Sequence, residues 1–303
     1  MHRAPAVPAP AVRAPGSAFP MPLEEFLGSG LLRRSDVVLV SGKALTSRMI
    51  RWATRSPFSH AALVFLVPRT DRGFEHAFLI EAAPRGVDLR RLSDLLAHDA
   101  RRRGTAVAFL RFEAPWFDEE VQSTVRGRML DFIEAGYSYR TILSLGLAVL
   151  RQRLLGGPDD VADALAGALR SAHARKRFAP ASFICSGLVQ YGFLRTVRDL
   201  ARRRPGERRA AVPADDVLQA LFNPRLAAQA RQGRVGVDAM LAEPGVSTLL
   251  STTPDEISRA PQLAWKYVAA RGKVHAVASR DEALAIMTPG RRRPLAPSGR
   301  RRG

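Results

Sequence analysis

The chain has 303 residues, 46% of them hydrophobic, which is enough apolar material for the core of one large or two small domains. A single cysteine excludes any intrachain disulfide, and no Cys/His group has zinc-ligand spacing, so the composition calls for no metal or cofactor. The formal net charge of +19 directs attention to anionic membranes or nucleic acid, but Lys43, Lys176, Lys266 and Lys273 are the only lysines; an arginine excess beside heavy Ala and Gly use is also what a GC-rich genome produces without selection for binding.

Residues 1–30 read as a disordered Ala/Pro-rich leader, with no unbroken apolar stretch of the secretory type, so a cytoplasmic location is the default expectation. The run Val37–Val40 is short and β-branched and reads as a buried strand; Ala44 to Thr54 has helical spacing. A Pro-containing turn follows, and His60 stands where that turn enters a second buried strand, His60–Phe65. The next strand, Ala77–Ala83, carries Glu81 inside an otherwise apolar stretch, which is costly unless something pairs with the carboxylate. A short helix is expected around Leu92 to His98, a strand over Thr105–Phe112, and an amphipathic helix from Phe117 to Glu134 on the spacing of Val121, Val125, Met129, Phe132 and Ile133. Tyr137 and Tyr139 read as packed rings with tethered hydroxyls, Ile142 to Leu150 is too short to span a bilayer, and an Ala-rich helix is expected from about Asp159 to Ala174.

Cys185 lies in Ser182-Phe183-Ile184-Cys185-Ser186-Gly187-Leu188, at the start of an expected helix. The first turn of a helix favours thiolate over thiol and can bind an oxyanion. A lone cysteine is more often a small buried hydrophobe, so the chemical reading depends on what joins it. If the strands bearing His60 and Glu81 are neighbours, an imidazole can lie between the carboxylate and Cys185, giving nucleophile, base and orienter. Further on, Thr253-Pro254-Asp255-Glu256 has the cap residue, proline and glutamate of a helix start, and Val274–Val277 reads as a short strand. His76 and His275 are the other histidines able to serve as a base; His2, His98 and His173 read as solvated.

The run SPFSHAALVF, then LIEAAPRGV, then FICSGLVQYGF and finally TTPDEISRAP resembles the circularly permuted branch of the NlpC/P60 papain-like superfamily, the YiiX/YaeF-like amidases. The likeness covers Leu32 to Val268 with gaps. It implies an α+β, permuted papain-like fold: a small antiparallel sheet packed against the helix that carries the nucleophilic cysteine. Carried over residue by residue, the family's base is His60, its acid Glu81 and its nucleophile Cys185. The Gly-Asp that opens the family's first strand is Ser35-Asp36 here, and the segment after the Cys helix is longer than the family's. The domain is therefore expected over 31–275 with a helical insertion over about 201–247, and 276–303 is expected to be a C-terminal segment with a basic disordered tail.

The function implied is a thiol hydrolase or acyltransferase forming a thioester, with a small peptide, amide or acyl-lipid substrate and no obligate protein partner. Two other classes stay open. A catalytically silent basic module would bind anionic lipid or nucleic acid through Arg101–Arg103, Arg202–Arg204, Arg208-Arg209 and the tail, associating peripherally with membranes in the first case; no aromatics interleave with those runs, which weighs against single-strand binding. A partner-binding protein would use Ile142 to Leu155 as a docking helix.

Overall fold

A computed structural model describes residues 19–68, 70–71, 73–83, 86–100, 105–133, 185–202, 222 and 252–288. Tyr137, Tyr139, the Ile142–Leu155 segment, the expected helix at 159–174, nearly all of the expected insertion at 201–247, the basic runs at 101–103 and 208–209 and the tail from 291 lie outside these residues.

The strands are β1 (Met21–Pro22), β2 (Val37–Ser41), β3 (His60–Leu66), β4 (Phe78–Ala83), β5 (Gly86–Arg91), β6 (Ala106–Phe112), β7 (Leu263–Ala270) and β8 (Lys273–Ala276). They form one antiparallel sheet in the order β1-β8-β7-β6-β2-β3-β4-β5. The helices are α1 (Leu23–Gly28), α2 (Leu45–Thr54), α3 (Leu92–Ala100), α4 (Glu119–Leu130), α5 (Cys185–Arg202), α6 (Pro254–Ser258) and α7 (Arg280–Met287). The architecture is α+β, and the sheet is larger than the small one expected from the resemblance.

The central strands read as unbroken apolar runs because both faces of the sheet are covered. Val37, Leu39, Ala61, Leu63 and Ile80 pack on one face against Val125 and Met129 of α4 and Leu188, Val189, Phe193 and Val197 of α5. Val38, Val40, Ala62, Val64 and Leu79 pack on the other against Phe26 of α1 and Leu92, Leu95 and Leu96 of α3. Helix ends follow their capping residues. Asp118 accepts from Val121 N–H at 3.0 Å and starts α4. Helix α4 therefore begins after Phe117, and it ends at Leu130, so Phe132 and Ile133 lie in a closing turn rather than on the helix. Thr253 and Glu256 make the expected capping box at α6.

Two domain boundaries need correction. The leader expected over 1–30 is folded from Phe19 onward: Met21 and Pro22 pair with β8, and Phe26 is fully buried against Phe109 and Tyr267. The domain also does not stop at 275. Ala283 of α7 is buried in the core, and Arg280 reaches Asp255 of α6 at 2.8 Å and the Ser258 hydroxyl at 3.0 Å.

Candidate active site

Strands β3 and β4 are neighbours, and their recorded pairs run from Leu66↔Phe78 to Leu63↔Ile80. The ladder ends before it reaches His60 and Glu81. At that end of the sheet the first residue of α5, Cys185, meets β3, and the backbone N–H groups of Ala61 and Ser186 help to lower its thiol.

His60 joins the two other residues. Its Nε2–H donates to Glu81 Oε2 at 2.6 Å, and the ring is near enough to Cys185 for the two groups to shift each other's titration. Because Nε2 is taken by the carboxylate, Nδ1 is the nitrogen left for the sulfur. Cys185 is 7% exposed and Glu81 4%, while the His60 side chain keeps 22% of its surface, so the imidazole is the most accessible of the three.

Burial opposes charge at all three groups, and the pairing reverses it. Burial alone would raise the Cys185 thiol, but the positive charge and hydrogen bond of His60, with the N–H groups of Ala61 and Ser186, hold it below its ordinary value. Burial alone would lower His60, yet the thiolate first and Glu81 second hold its imidazolium well above the ordinary histidine value. Burial alone would raise Glu81, and His60 followed by Arg90 brings it below the usual carboxylate range. The arrangement favours a thiolate–imidazolium pair backed by a carboxylate.

Arg90 of β5, 3.6 Å from Glu81 Oε1, was not marked by the sequence as a site residue. Its signal was the alternation Val87-Asp88-Leu89-Arg90, which makes a strand whose Asp88 stands opposite Glu81. Neither His76 nor His275 lies at this site. His76 is exposed in the loop before β4, and His275 sits on β8, four strands across the sheet from β3. His98 is on α3; His2 and His173 lie outside the described residues.

A cavity of about 400 Å³ lies elsewhere, lined by residues including Arg33, Asp36, Arg111 and Glu113. It is at the Asp36 end of β2, whereas His60 pairs with Val40 at the other end. Its floor is a structural ion pair: Arg111 donates twice to the Asp36 carboxylate, at 2.7 Å each. Among the described residues no group of three His, Cys, Asp or Glu side chains is arranged to hold a metal ion, and no helix is long and apolar enough to cross a membrane.

No family model matches the chain, and no curated protein does. Among solved structures the fold has a weak neighbour, the metalloprotein YiiX from Escherichia coli O157:H7. The TM-score is 0.32 at 16% identity, over 77% of this chain and 95% of that one. At that score the likeness decides neither the finer fold nor the chemistry.

Proposed function

We propose that this protein is a thiol enzyme that transfers an acyl group from an amide or ester, as a hydrolase or an acyltransferase, through Cys185, His60 and Glu81. The observation that carries the reading is the imidazole held between a buried carboxylate and a buried thiol, with the thiol lowered and the imidazole raised. A merely structural cysteine has no need of a charged partner, and burial would leave it protonated. The chain order of base, acid and then nucleophile, in the motifs quoted above, supports the permuted NlpC/P60 papain-like fold of the YiiX/YaeF type.

The chemistry would run as follows. The Cys185 thiolate attacks the substrate carbonyl carbon, a C–S bond forms, and the carbonyl π electrons move onto oxygen. The backbone N–H of Cys185 helps hold this oxyanion in the first turn of α5. Collapse expels the amine or alcohol, which takes the proton from His60 Nδ1 and leaves a thioester. Water, or an acceptor amine or hydroxyl, then gives a proton to His60, attacks the thioester and returns the thiolate. Glu81 holds the ring by Nε2 throughout and stabilises its imidazolium. By resemblance, the substrate is a short peptide or amide related to cell-wall fragments, or an N-acyl lipid.

Intact-mass spectrometry after incubation with a panel of acyl amides and esters tests this. The expected result is an acyl adduct on the wild type and none on Cys185→Ala. Alkylation of Cys185 should be fast well below the ordinary thiol value of about 8.5 and should return to that value in His60→Ala. No adduct, together with an ordinary alkylation profile, would overturn the reading.

A further inference from the structure

Strand β5 forms the edge of the sheet beside the candidate active site. Its ladder with β4 is unbroken from Phe78↔Arg91 to Ala83↔Gly86, so Glu81 lies inside a continuous β4–β5 ladder although the recorded β3–β4 pairs have already ended. The Glu81 backbone is therefore held from the β5 side, while the bond from His60 comes from the side where the ladder has stopped. Glu81 is the strand partner of Asp88, and Arg90 is the partner of Leu79, which makes Arg90 the diagonal neighbour of Glu81 on the same face. Such diagonals stand about 7–8 Å apart, a span that a long side chain bridges.

The carboxylate is divided between two cations. Its Oε2 accepts from His60 Nε2–H at 2.6 Å, and its Oε1 faces Arg90 Nη1 at 3.6 Å. Glu81 is buried, so an Oε1 without a partner would carry an uncompensated desolvation cost. The terminal torsion of a glutamate is soft, and a carboxylate held by one oxygen alone turns more freely away from the imidazole. His60 of β3 first and Arg90 of β5 second keep Glu81 ionised against burial. Asp88, opposite Glu81, is exposed, and its Oδ1 accepts from Leu89 N–H at 2.7 Å. From α5 comes Cys185, which acts on His60.

We propose that Arg90 is a positioning residue of the thiol site: from the sheet edge it holds Glu81 Oε1, so that Oε2 stays on His60 and the imidazole stays aimed at Cys185. The role is exerted through Glu81 and not on the acyl group. It rests on the acyl-transfer reading above in taking His60 and Cys185 as the reacting pair.

The experiment measures the rate of Cys185 alkylation by iodoacetamide from acid to neutral pH, with acyl-adduct formation on the substrate panel measured beside it. The proteins are the wild type, Arg90→Gln, Arg90→Lys, Glu81→Gln and the double variant Arg90→Gln, Glu81→Gln. The Arg90 side chain keeps 35% of its surface, so solvent screens the pair and the effect is modest. Arg90→Gln should slow alkylation by about two- to fivefold at neutral pH. The loss should be larger in mild acid, because a Glu81 without its second cation takes up a proton at higher pH and stops supporting the imidazolium. Arg90→Lys keeps a cation on the diagonal and should restore most of the rate. In Glu81→Gln the further change Arg90→Gln should have almost no effect, since the charge through which Arg90 acts is gone.

A merely structural pair would lower the thermal midpoint and leave the acid limb of the alkylation profile where it was, and that result would overturn the proposal. So would a loss from Arg90→Gln that is undiminished in the Glu81→Gln background, since Arg90 would then act on some other group. A moved acid limb in a protein that forms no thioester from any substrate would remove the acyl-transfer reading and leave the hold of Arg90 on Glu81 standing. Normal thioester formation with an unmoved limb would remove the positioning role alone.

Discussion

Glu81 holds three relationships at once: it is buried in a strand, accepts from His60, and faces Arg90. Replacing it separates charge from shape. Glu81→Gln keeps an oxygen for Nε2–H but loses the charge that supports imidazolium, so adduct formation should slow by about ten- to a thousandfold. Glu81→Ala should cost more and should also destabilise the fold, because a gap opens between β4 and β3. The sign of the pH dependence follows from the shifts. Glu81 is lowered in the folded state, so its contribution is full above the ordinary carboxylate range and is lost as pH falls through the lowered value. His60 is raised, so its contribution is full below about 6.5 and is lost as pH climbs through the raised value. Urea denaturation of the wild type against Glu81→Gln should therefore show a stability gap that closes on acidification; a gap that widens in acid would contradict the pairing. Ser35 makes a different residue-scale point. It sits at φ 63°, the left-handed region that glycine enters without penalty and serine only under strain. Ser35→Gly should be neutral or stabilising by up to about 1 kcal/mol in thermal denaturation, whereas Ser35→Val should destabilise.

Between elements, the decisive contact is α5 on α4. A Cβ on Gly192 would stand 2.7 Å from Met129 Cγ and 3.3 Å from the Val125 carbonyl oxygen, so glycine sets how closely these helices approach. Gly192→Leu should cost about 1–3 kcal/mol. Because α5 carries Cys185, the same change should slow thiol alkylation in the protein that remains folded. Alkylation at the wild-type rate would mean that the position of Cys185 is set by β3 alone. The elements that sequence patterning caught are those with a strong local signal: the capping box at Thr253, the i, i+4, i+8 series Val121, Val125 and Met129, and the β-branched run of β2. Of those it missed, β1 and α1 are short and borrow their stability. Met21 and Pro22 form a strand only because β8 offers a free edge, and α1 survives because Phe26 fills the space beside Phe109 and Tyr267. Six residues make too short a helix to persist alone.

Across the whole molecule, one sheet joins the two ends of the described residues. The N-terminal strand pairs with β8, and α7 packs back onto the core next to α6. Truncation after residue 275 should therefore not simply release a tail. It removes Val277 and Ala283 from the core and the Arg280–Asp255 pair, so the midpoint of chemical denaturation should drop clearly, in contrast to the negligible change expected of a solvated segment. Local patterning by itself pointed to the start and type of the well-capped elements and singled out His60, Glu81 and Cys185 as candidates for chemistry. These are matters of periodicity, capping and side-chain reactivity, which neighbours in the chain settle. Only the tertiary structure decided that the β3–β4 ladder ends before His60 and that Arg90 backs Glu81. Each depends on which strands and helices meet across long separations, and a burial pattern says that a face is apolar without saying what lies against it.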